Sequence, residues 1–143
     1  KGMVAWGREN AAASGLADKP VRWIVDDCAK FVAREIRRGV RYDGIIMDPP
    51  SYGRGPGGET WKIEEDVADF VALTMQLLSD HPLFVLISSY STGLAPSVMA
   101  YLLGTTAVAR HPGRVEAQEI GLPVTSTGLV LPCGSSARYI AAR

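Results

Sequence analysis

Short apolar runs alternate with segments of helical periodicity along most of the 143-residue chain. Brief runs rich in β-branched residues and bounded by glycine or proline are typical of buried strands. The predicted strands are residues 21–26, 42–48, 83–88, 115–120 and 136–142. The predicted helices are residues 2–14, 29–38, 64–79 and 96–103. This order predicts an α/β sandwich with a mostly parallel sheet that ends in a C-terminal antiparallel hairpin.

Acidic residues follow the first two predicted strands directly. Asp26 and Asp27 come at the end of the first strand, and Asp48 follows the second. In open α/β sheets, ligands bind beyond the carboxyl ends of the strands, where the loops leave the sheet. The sequence therefore predicts a binding site at the edge of the sheet that carries Asp27 and Asp48.

Two successive prolines follow Asp48 and restrict the chain sharply. Pro49 and Pro50 fix φ near about −65° and have no N–H, which leaves the carbonyls of Asp48 and Pro49 as outward acceptors. Such acceptors suit an exocyclic amino group, and the ring of Tyr52 could stack on the base that carries it. The alternative is a stiff turn that only ends the strand, with Asp48 in an Asx turn.

Residues Asp48–Tyr52 (DPPSY) resemble the D/N-P-P-x-[FY] motif of class I S-adenosylmethionine (SAM)-dependent methyltransferases that act on nitrogen. The longer run Ile45–Gly55 resembles the bacterial ribosomal-RNA methyltransferase group, which includes guanine-N2 and cytosine-C5 enzymes. The segments Trp6–Asn10 and Val25–Phe31 fall in the family's order. The resemblance implies a Rossmann-like methyltransferase fold, SAM as cofactor and RNA, here ribosomal RNA, as partner.

The resemblance also implies a set of cofactor-binding residues. Asp27 matches the acidic residue that accepts a hydrogen bond from the adenine amino group of SAM, and the backbone at Cys28 would meet the adenine edge. Asp48 would lie near both the methionine part of SAM and the target base. For Asp27 the alternative is a helix N-cap, and for Cys28 a small buried thiol.

Catalytic and substrate-binding residues follow from the same motif. The resemblance assigns catalysis to Asp48, Pro49, Pro50 and Tyr52. Tyr52 is also expected to bind substrate, together with Arg54 in the glycine-rich loop and Lys62 beyond it.

The reaction type depends on a cysteine. Methylation at cytosine C5 needs a thiolate that adds to the ring, and the ribosomal enzymes that do this carry a cysteine where this chain has Tyr90. Neither Cys28 nor Cys133 is well placed, so transfer to a base amino nitrogen, guanine N2-like, is the predicted reaction. The alternatives are a cytosine-C5 RNA methyltransferase, a protein or small-molecule N-methyltransferase, and a non-catalytic Rossmann-like scaffold.

The family's glycine-rich SAM loop and its ribose-binding acid would precede Lys1. We therefore expect residues 1–143 to be the later part of one methyltransferase catalytic domain, without its first strands. The isolated chain is expected to bind SAM weakly or not at all, and to be inactive.

Composition excludes few partners. The chain has 15 basic and 15 acidic residues and a net charge of zero, so bulk charge indicates no attraction to RNA. No apolar run reaches the roughly twenty residues of a membrane span, and no His/Cys cluster predicts a metal site. Two separate cysteines are consistent with reduced thiols in a cytoplasmic protein. The sequence leaves the oligomeric state open.

Overall fold

The computed structural model describes residues 2–55, 57–91 and 93–142. Over these residues the helices are α1 (Gly2–Ala13), α2 (Cys28–Arg37), α3 (Ile63–Thr74) and α4 (Pro96–Leu103). The strands are β1 (Gly44–Met47), β2 (Tyr52–Arg54), β3 (Thr60–Lys62), β4 (Phe84–Ser89), β5 (Gly113–Val124) and β6 (Leu129–Ala141). A 3₁₀ turn, Met75–Leu77, follows α3, and a π-helical turn, Gly104–Val108, follows α4. The predicted α/β class is confirmed.

Strands β1, β4, β6 and β5 form the main sheet, in that order. β1 runs parallel to β4, with Met47 opposite Ile87, whereas β6 is antiparallel to both β4 and β5. The predicted C-terminal hairpin is therefore present. The sheet is less parallel than expected, because among the described strands only β1 and β4 pair in parallel. The short turn between β5 and β6 permits only an antiparallel pair.

The core lies on one face of the main sheet. Alternation along β4 buries Val85 and Ile87 completely, and α3 and α4 cover that face. The residues that meet them in the core include Ile63, Val67, Val71, Met99, Leu103, Ala137 and Tyr139. This packing gives the carboxyl ends of β1 and β4 a rigid base.

Residues 21–26, predicted as a strand, form no regular secondary structure. Val21 and Val25 are 48% and 59% exposed. A strand exists only where a neighbour accepts and donates its backbone hydrogen bonds, and within the described residues no strand pairs with this segment. The β-branched composition was therefore an insufficient guide here.

Residues 49–60, predicted as a loop, contain regular structure. β2 and β3 pair as a two-stranded antiparallel hairpin, with Gly53 opposite Trp61. Gly58 has φ +89°, in the left-handed region that glycine adopts without strain. The glycines and prolines indicated a turn, but they concealed the short strands on either side of it.

Helix α1 lies on the outside of the molecule. It buries none of its residues, and Met3 and Trp6 are largely exposed. Gly7 approaches the indole of Trp23 so closely that an added Cβ would lie 2.9 Å from the ring. Neither α1 nor any other described helix combines the length and apolarity needed to cross a membrane.

Candidate functional site

The turn Asp48–Ser51 leaves the carboxyl end of β1. Met47, the last residue of that strand, is buried against the core, whereas Asp48 is exposed. The burial of Met47 fixes the point at which the chain leaves the sheet, so Asp48 projects at the edge that the sequence predicted.

Two hydrogen bonds hold the far end of this turn. The indole Nε1–H of Trp61 donates to the Pro50 carbonyl at 2.6 Å, and the N–H of Ile63 donates to the Ser51 carbonyl at 3.0 Å. Across residues 2–55, 57–91 and 93–142, no group donates a hydrogen bond to the carbonyl of Asp48 or of Pro49. These two carbonyls are the acceptors that the double proline predicted.

Asp27 is the N-cap of α2. Its Oδ1 accepts a hydrogen bond from the N–H of Lys30 at 2.9 Å, so the capping role foreseen as an alternative is present. A cap uses one carboxylate oxygen and leaves the other able to accept from a ligand.

Asp26 stands beside the cap and is occupied by the protein itself. Its carboxylate accepts from the Arg34 guanidinium and from the N–H of Asp27. The Arg34 guanidinium holds the pKa of Asp26 below its usual range. Of the two neighbouring acids, Asp27 is therefore the one available to a ligand.

One cavity of about 600 Å³ joins Asp27 to the turn. Its lining includes Asp27 and Cys28 as well as Asp48, Pro49 and Pro50. Its inner walls are largely apolar and include Phe31, Val32, Met47, Phe70 and Leu77. The volume lies within the range of small-molecule sites. The structure thus brings the predicted cofactor residues and the predicted catalytic turn to one cavity.

A second cavity of about 470 Å³ adjoins the first and shares Asp27 and Trp61 with it. Arg54 lines this cavity. Tyr52 is half exposed, and its hydroxyl accepts a hydrogen bond from Arg54 Nε at 2.8 Å. Arg54 and Tyr52 therefore lie together, although Tyr52 itself lines neither of the two cavities.

Lys62 is placed differently from Arg54. Its ammonium donates to Glu65 at 2.7 Å, and this contact raises the pKa of Lys62. Lys62 lines neither of the two cavities. It nevertheless lies directly opposite Tyr52 across the β2–β3 hairpin, so the structure brings it beside one of the other predicted substrate residues.

Glu59 is a site residue that sequence reasoning missed. Its carboxylate accepts from the N–H of Gly57 at 3.0 Å and lies 3.6 Å from the ammonium of Lys30 on α2. Main-chain N–H groups, its own and that of Gly57, lower the pKa of Glu59, and Lys30 adds to the effect. A single acid in a glycine-rich stretch was the available signal. The contact ties the β2–β3 hairpin to the first turn of α2.

A third cavity, of about 780 Å³, lies at the amino end of β4. Its lining includes Asp80, His81, His111 and Arg138. None of the predicted site residues lies there. Within the described residues, no group of three His, Cys, Asp or Glu side chains is arranged to hold a metal ion.

Solved structures share this architecture. The SAM-dependent methyltransferase from Agrobacterium tumefaciens superposes with a TM-score of 0.84 at 31% identity, over 98% of this chain and 46% of that one. SMU.776, described as a methyltransferase and solved with SAH, superposes with a TM-score of 0.69 at 16% identity, over 95% of this chain and 36% of that one. The chain has the Rossmann-like fold of class I SAM-dependent methyltransferases, as predicted.

In sequence, the chain resembles ribosomal RNA large subunit methyltransferase K/L. It is 29% identical to that protein from Shewanella baltica (strain OS195) over 77 residues, which is 53% of this chain and 10% of the relative. It is 26% identical to that from Shewanella sp. (strain MR-4) over 78 residues. The chain thus spans about a tenth of the length of these curated relatives. No protein-family model matches it. The resemblance to the ribosomal-RNA methyltransferase group is confirmed.

Proposed function

We propose that this chain carries the catalytic turn of a SAM-dependent methyltransferase that modifies a base amino nitrogen in ribosomal RNA, in the manner of a guanine-N2 enzyme. The observation that supports the proposal most is the cavity that joins Asp27 to Asp48 and Pro49. The names of the similar proteins add support, since they include SAM-dependent and ribosomal-RNA methyltransferases. The proposal includes a cytoplasmic location, where ribosomal RNA is available.

The residues around the cavity fit SAM. Apolar side chains such as Phe31 suit the faces of an adenine ring, and the free oxygen of Asp27 suits its amino group. Asp48, which lines the same cavity, would lie nearest the methionine part. When bound, SAM would supply a methyl group on a positively charged sulfonium. The amine lone pair would form a bond to that methyl carbon while the carbon–sulfur bond breaks, and the sulfur would leave as a neutral thioether.

The turn would orient the acceptor amine. The unpaired carbonyls of Asp48 and Pro49 accept its two N–H bonds, which aims the nitrogen lone pair away from them and towards the methyl donor. Their dipoles and the Asp48 carboxylate stabilise the positive charge that develops on nitrogen. The amine then releases its proton to solvent at this exposed edge. Alignment of the reactants supplies much of the barrier reduction, and no covalent adduct with the protein forms.

Tyr52 and Arg54 would hold the RNA base. The half-exposed ring of Tyr52 offers a stacking surface, and the Arg54 guanidinium beside it offers a positive charge to a phosphate. Lys62, opposite Tyr52 on the same hairpin and paired with Glu65, would serve as a phosphate contact beside them.

Transfer to nitrogen is favoured over transfer to cytosine C5 by the positions of the thiols. Cys133 lies on the β5–β6 hairpin, where its Sγ contacts the Ile120 carbonyl at 3.4 Å. Cys28 begins α2, on the side of the cavity assigned to the adenine ring. Tyr90, which follows β4, offers a phenol in place of a thiolate.

Mass spectrometry of ribosomal RNA tests the proposal. RNA from cells that lack the gene should lose one methylated guanine, and the wild-type gene should restore it while the gene with Asp48→Ala should not. Loss of a 5-methylcytosine instead would move the reaction to carbon. Unchanged RNA, together with no SAM binding in calorimetry of the protein as its gene encodes it, would favour a non-catalytic scaffold.

A further inference from the structure

We propose that Trp61 is a positioning residue for the methyl-transfer turn. Its indole N–H fixes the Pro50 carbonyl, and this leaves the carbonyls of Asp48 and Pro49 in place for the acceptor amine. The inference rests on the proposed function, because it concerns how the same turn is held.

The turn has one backbone rotation that its prolines leave free. Proline rings fix φ at Pro49 and Pro50. Asp48 and Pro49 each precede a proline, and a residue in that position is confined to extended values of ψ. Pro50 precedes Ser51, so its ψ has no such restriction. The hydrogen bond on the Pro50 carbonyl restricts that angle directly, and the bond from Ile63 to the Ser51 carbonyl holds the residue that follows.

Trp61 provides that contact at close range. Its Nε1 lies 2.6 Å from the Pro50 carbonyl oxygen. A donor on the protein also removes Pro50 from the set of acceptors that compete for the substrate amine. The hydrogen bond thus both orients the turn and selects which carbonyls stay available.

Trp61 is held from two sides. Its ring meets the ring of Phe70 edge to face, with centroids 5.7 Å apart and an interplanar angle of 83°, a favourable aromatic geometry. Its backbone pairs with Gly53 across the β2–β3 hairpin. Phe70 belongs to α3, which is anchored in the core by Val67 and Val71. Trp61 therefore links the turn to the rigid part of the molecule.

The test separates the effect of the indole N–H as a donor from the effect of the size of the ring. In the protein as its gene encodes it, Trp61→Phe keeps an aromatic ring but removes the donor. Replacement of Trp61 by benzothienylalanine keeps the bicyclic shape and substitutes sulfur for N–H. Trp6→Phe, on exposed α1, is the matched control. For each protein, kcat and KM for SAM and for RNA are measured, together with the thermal unfolding midpoint.

A positioning role predicts a loss in kcat with KM for SAM unchanged. Both Trp61 replacements should lower kcat about tenfold or more, since an error of about 1 Å in alignment costs on the order of a hundredfold. The benzothienylalanine protein should keep the wild-type unfolding midpoint, and Trp6→Phe should keep wild-type kcat. Wild-type kcat in the benzothienylalanine protein would overturn the proposal and reduce Trp61 to a packing role.

Hydrogen exchange of the indole N–H keeps the two proposals distinguishable. If the wild-type protein methylates no RNA, the proposed function fails. Exchange at Trp61 then tests only whether its indole N–H holds the turn. Slow exchange at Trp61 relative to the exposed Trp6 would support a held turn. Exchange as fast as that of Trp6 would contradict it.

Discussion

Two large cavities lie beside the main sheet, one bordered by β1 and the other by the amino end of β4, and they differ in the hydrogen bonding of their polar groups. The cavity beside β1, about 600 Å³, is lined by Asp48 and Pro49, whose carbonyls accept no hydrogen bond from the described residues. The cavity at the amino end is larger, about 780 Å³, and holds both histidines of the chain. Size and titratable side chains would favour the 780 Å³ cavity as the binding site, whereas the free acceptor carbonyls favour the 600 Å³ cavity.

Internal partners explain the difference. At the amino end, the Tyr139 hydroxyl lies within hydrogen-bond distance of the carbonyls of His111 and Pro112, and Arg138 donates to Glu116 at 2.6 Å. These groups are already satisfied by the protein. In the turn after β1, by contrast, no described group donates a hydrogen bond to the carbonyls of Asp48 and Pro49. The distinguishing feature of the smaller cavity is therefore its pair of acceptor carbonyls, since the side chains of Asp80, His81 and His111 in the larger one also have no hydrogen-bond partner within the described residues.

Replacement of Asp48 should have the largest effect. Asp48→Ala should lower kcat about a hundredfold to a thousandfold, because it removes a charge aimed at the reacting nitrogen, and the exposed position should leave the fold intact. The matched control is Asp80→Ala, an exposed aspartate that lines the other cavity. Methyl incorporation from labelled SAM into RNA measures both. Equal activity of the two variants would remove the distinction between the cavities.

Tyr52 should contribute less, and through RNA rather than through SAM. Tyr52→Ala should raise KM for RNA about fivefold to a hundredfold, the range expected for loss of one base-stacking contact. Tyr52→Phe keeps the ring and loses only the hydroxyl that accepts from Arg54, so KM should stay within about twofold. Steady-state kinetics at saturating SAM give both values. An equal rise in both variants would assign the effect to the hydroxyl instead of the ring.

The pair of Tyr42 and Glu35 beside the first cavity should make the stability of the fold depend on pH. Tyr42 lines that cavity, and its hydroxyl donates to the buried Glu35 at 2.8 Å. This bond is the main reason that the pKa of Glu35 lies below its ordinary value of 4.5. A lowered pKa contributes stability above pH 4.5, and that stability is lost as pH falls through the pKa of the folded protein.

Glu35→Gln tests that dependence. The unfolding midpoint of the variant should lie several degrees below wild type at pH 7, and the gap should shrink as the pH is lowered below about 4.5. Thermal unfolding followed by circular dichroism across this range measures the gap. A gap that stays constant with pH would show that charge on Glu35 does not matter.

The histidines should have the smallest effect. His81→Ala and His111→Ala alter the larger cavity without touching Asp27 or the turn. Both variants should keep kcat and KM within about twofold, the scatter expected for residues outside the reacting groups. A tenfold loss in either would give the larger cavity a part in the reaction.

The sequence predicted the edge that carries the site but not the contacts that hold it. The strand that ends before Asp48 was legible because strand ends and prolines act locally, whereas the segment before Asp27 forms no strand. The bond from Trp61 to Pro50 spans eleven residues and depends on a hairpin whose strands are only three residues long. No local pattern specifies such a contact.

The mistaken strand at residues 21–26 has the same physical origin. Propensity describes how well a residue suits a strand, but a strand also needs a neighbour. The same holds for a charged contact. The position of Lys62 near the turn in the sequence did not predict that its ammonium pairs with Glu65.

A crystal structure of the protein, as its gene encodes it, with S-adenosylhomocysteine would test the central claim most directly. The account predicts the adenine amino group within hydrogen-bond distance of Asp27, and the sulfur beside Asp48 with the carbonyls of Asp48 and Pro49 still unpaired. Density for the ligand in the cavity of His81 and His111, with the cavity beside Asp27 empty, would contradict it.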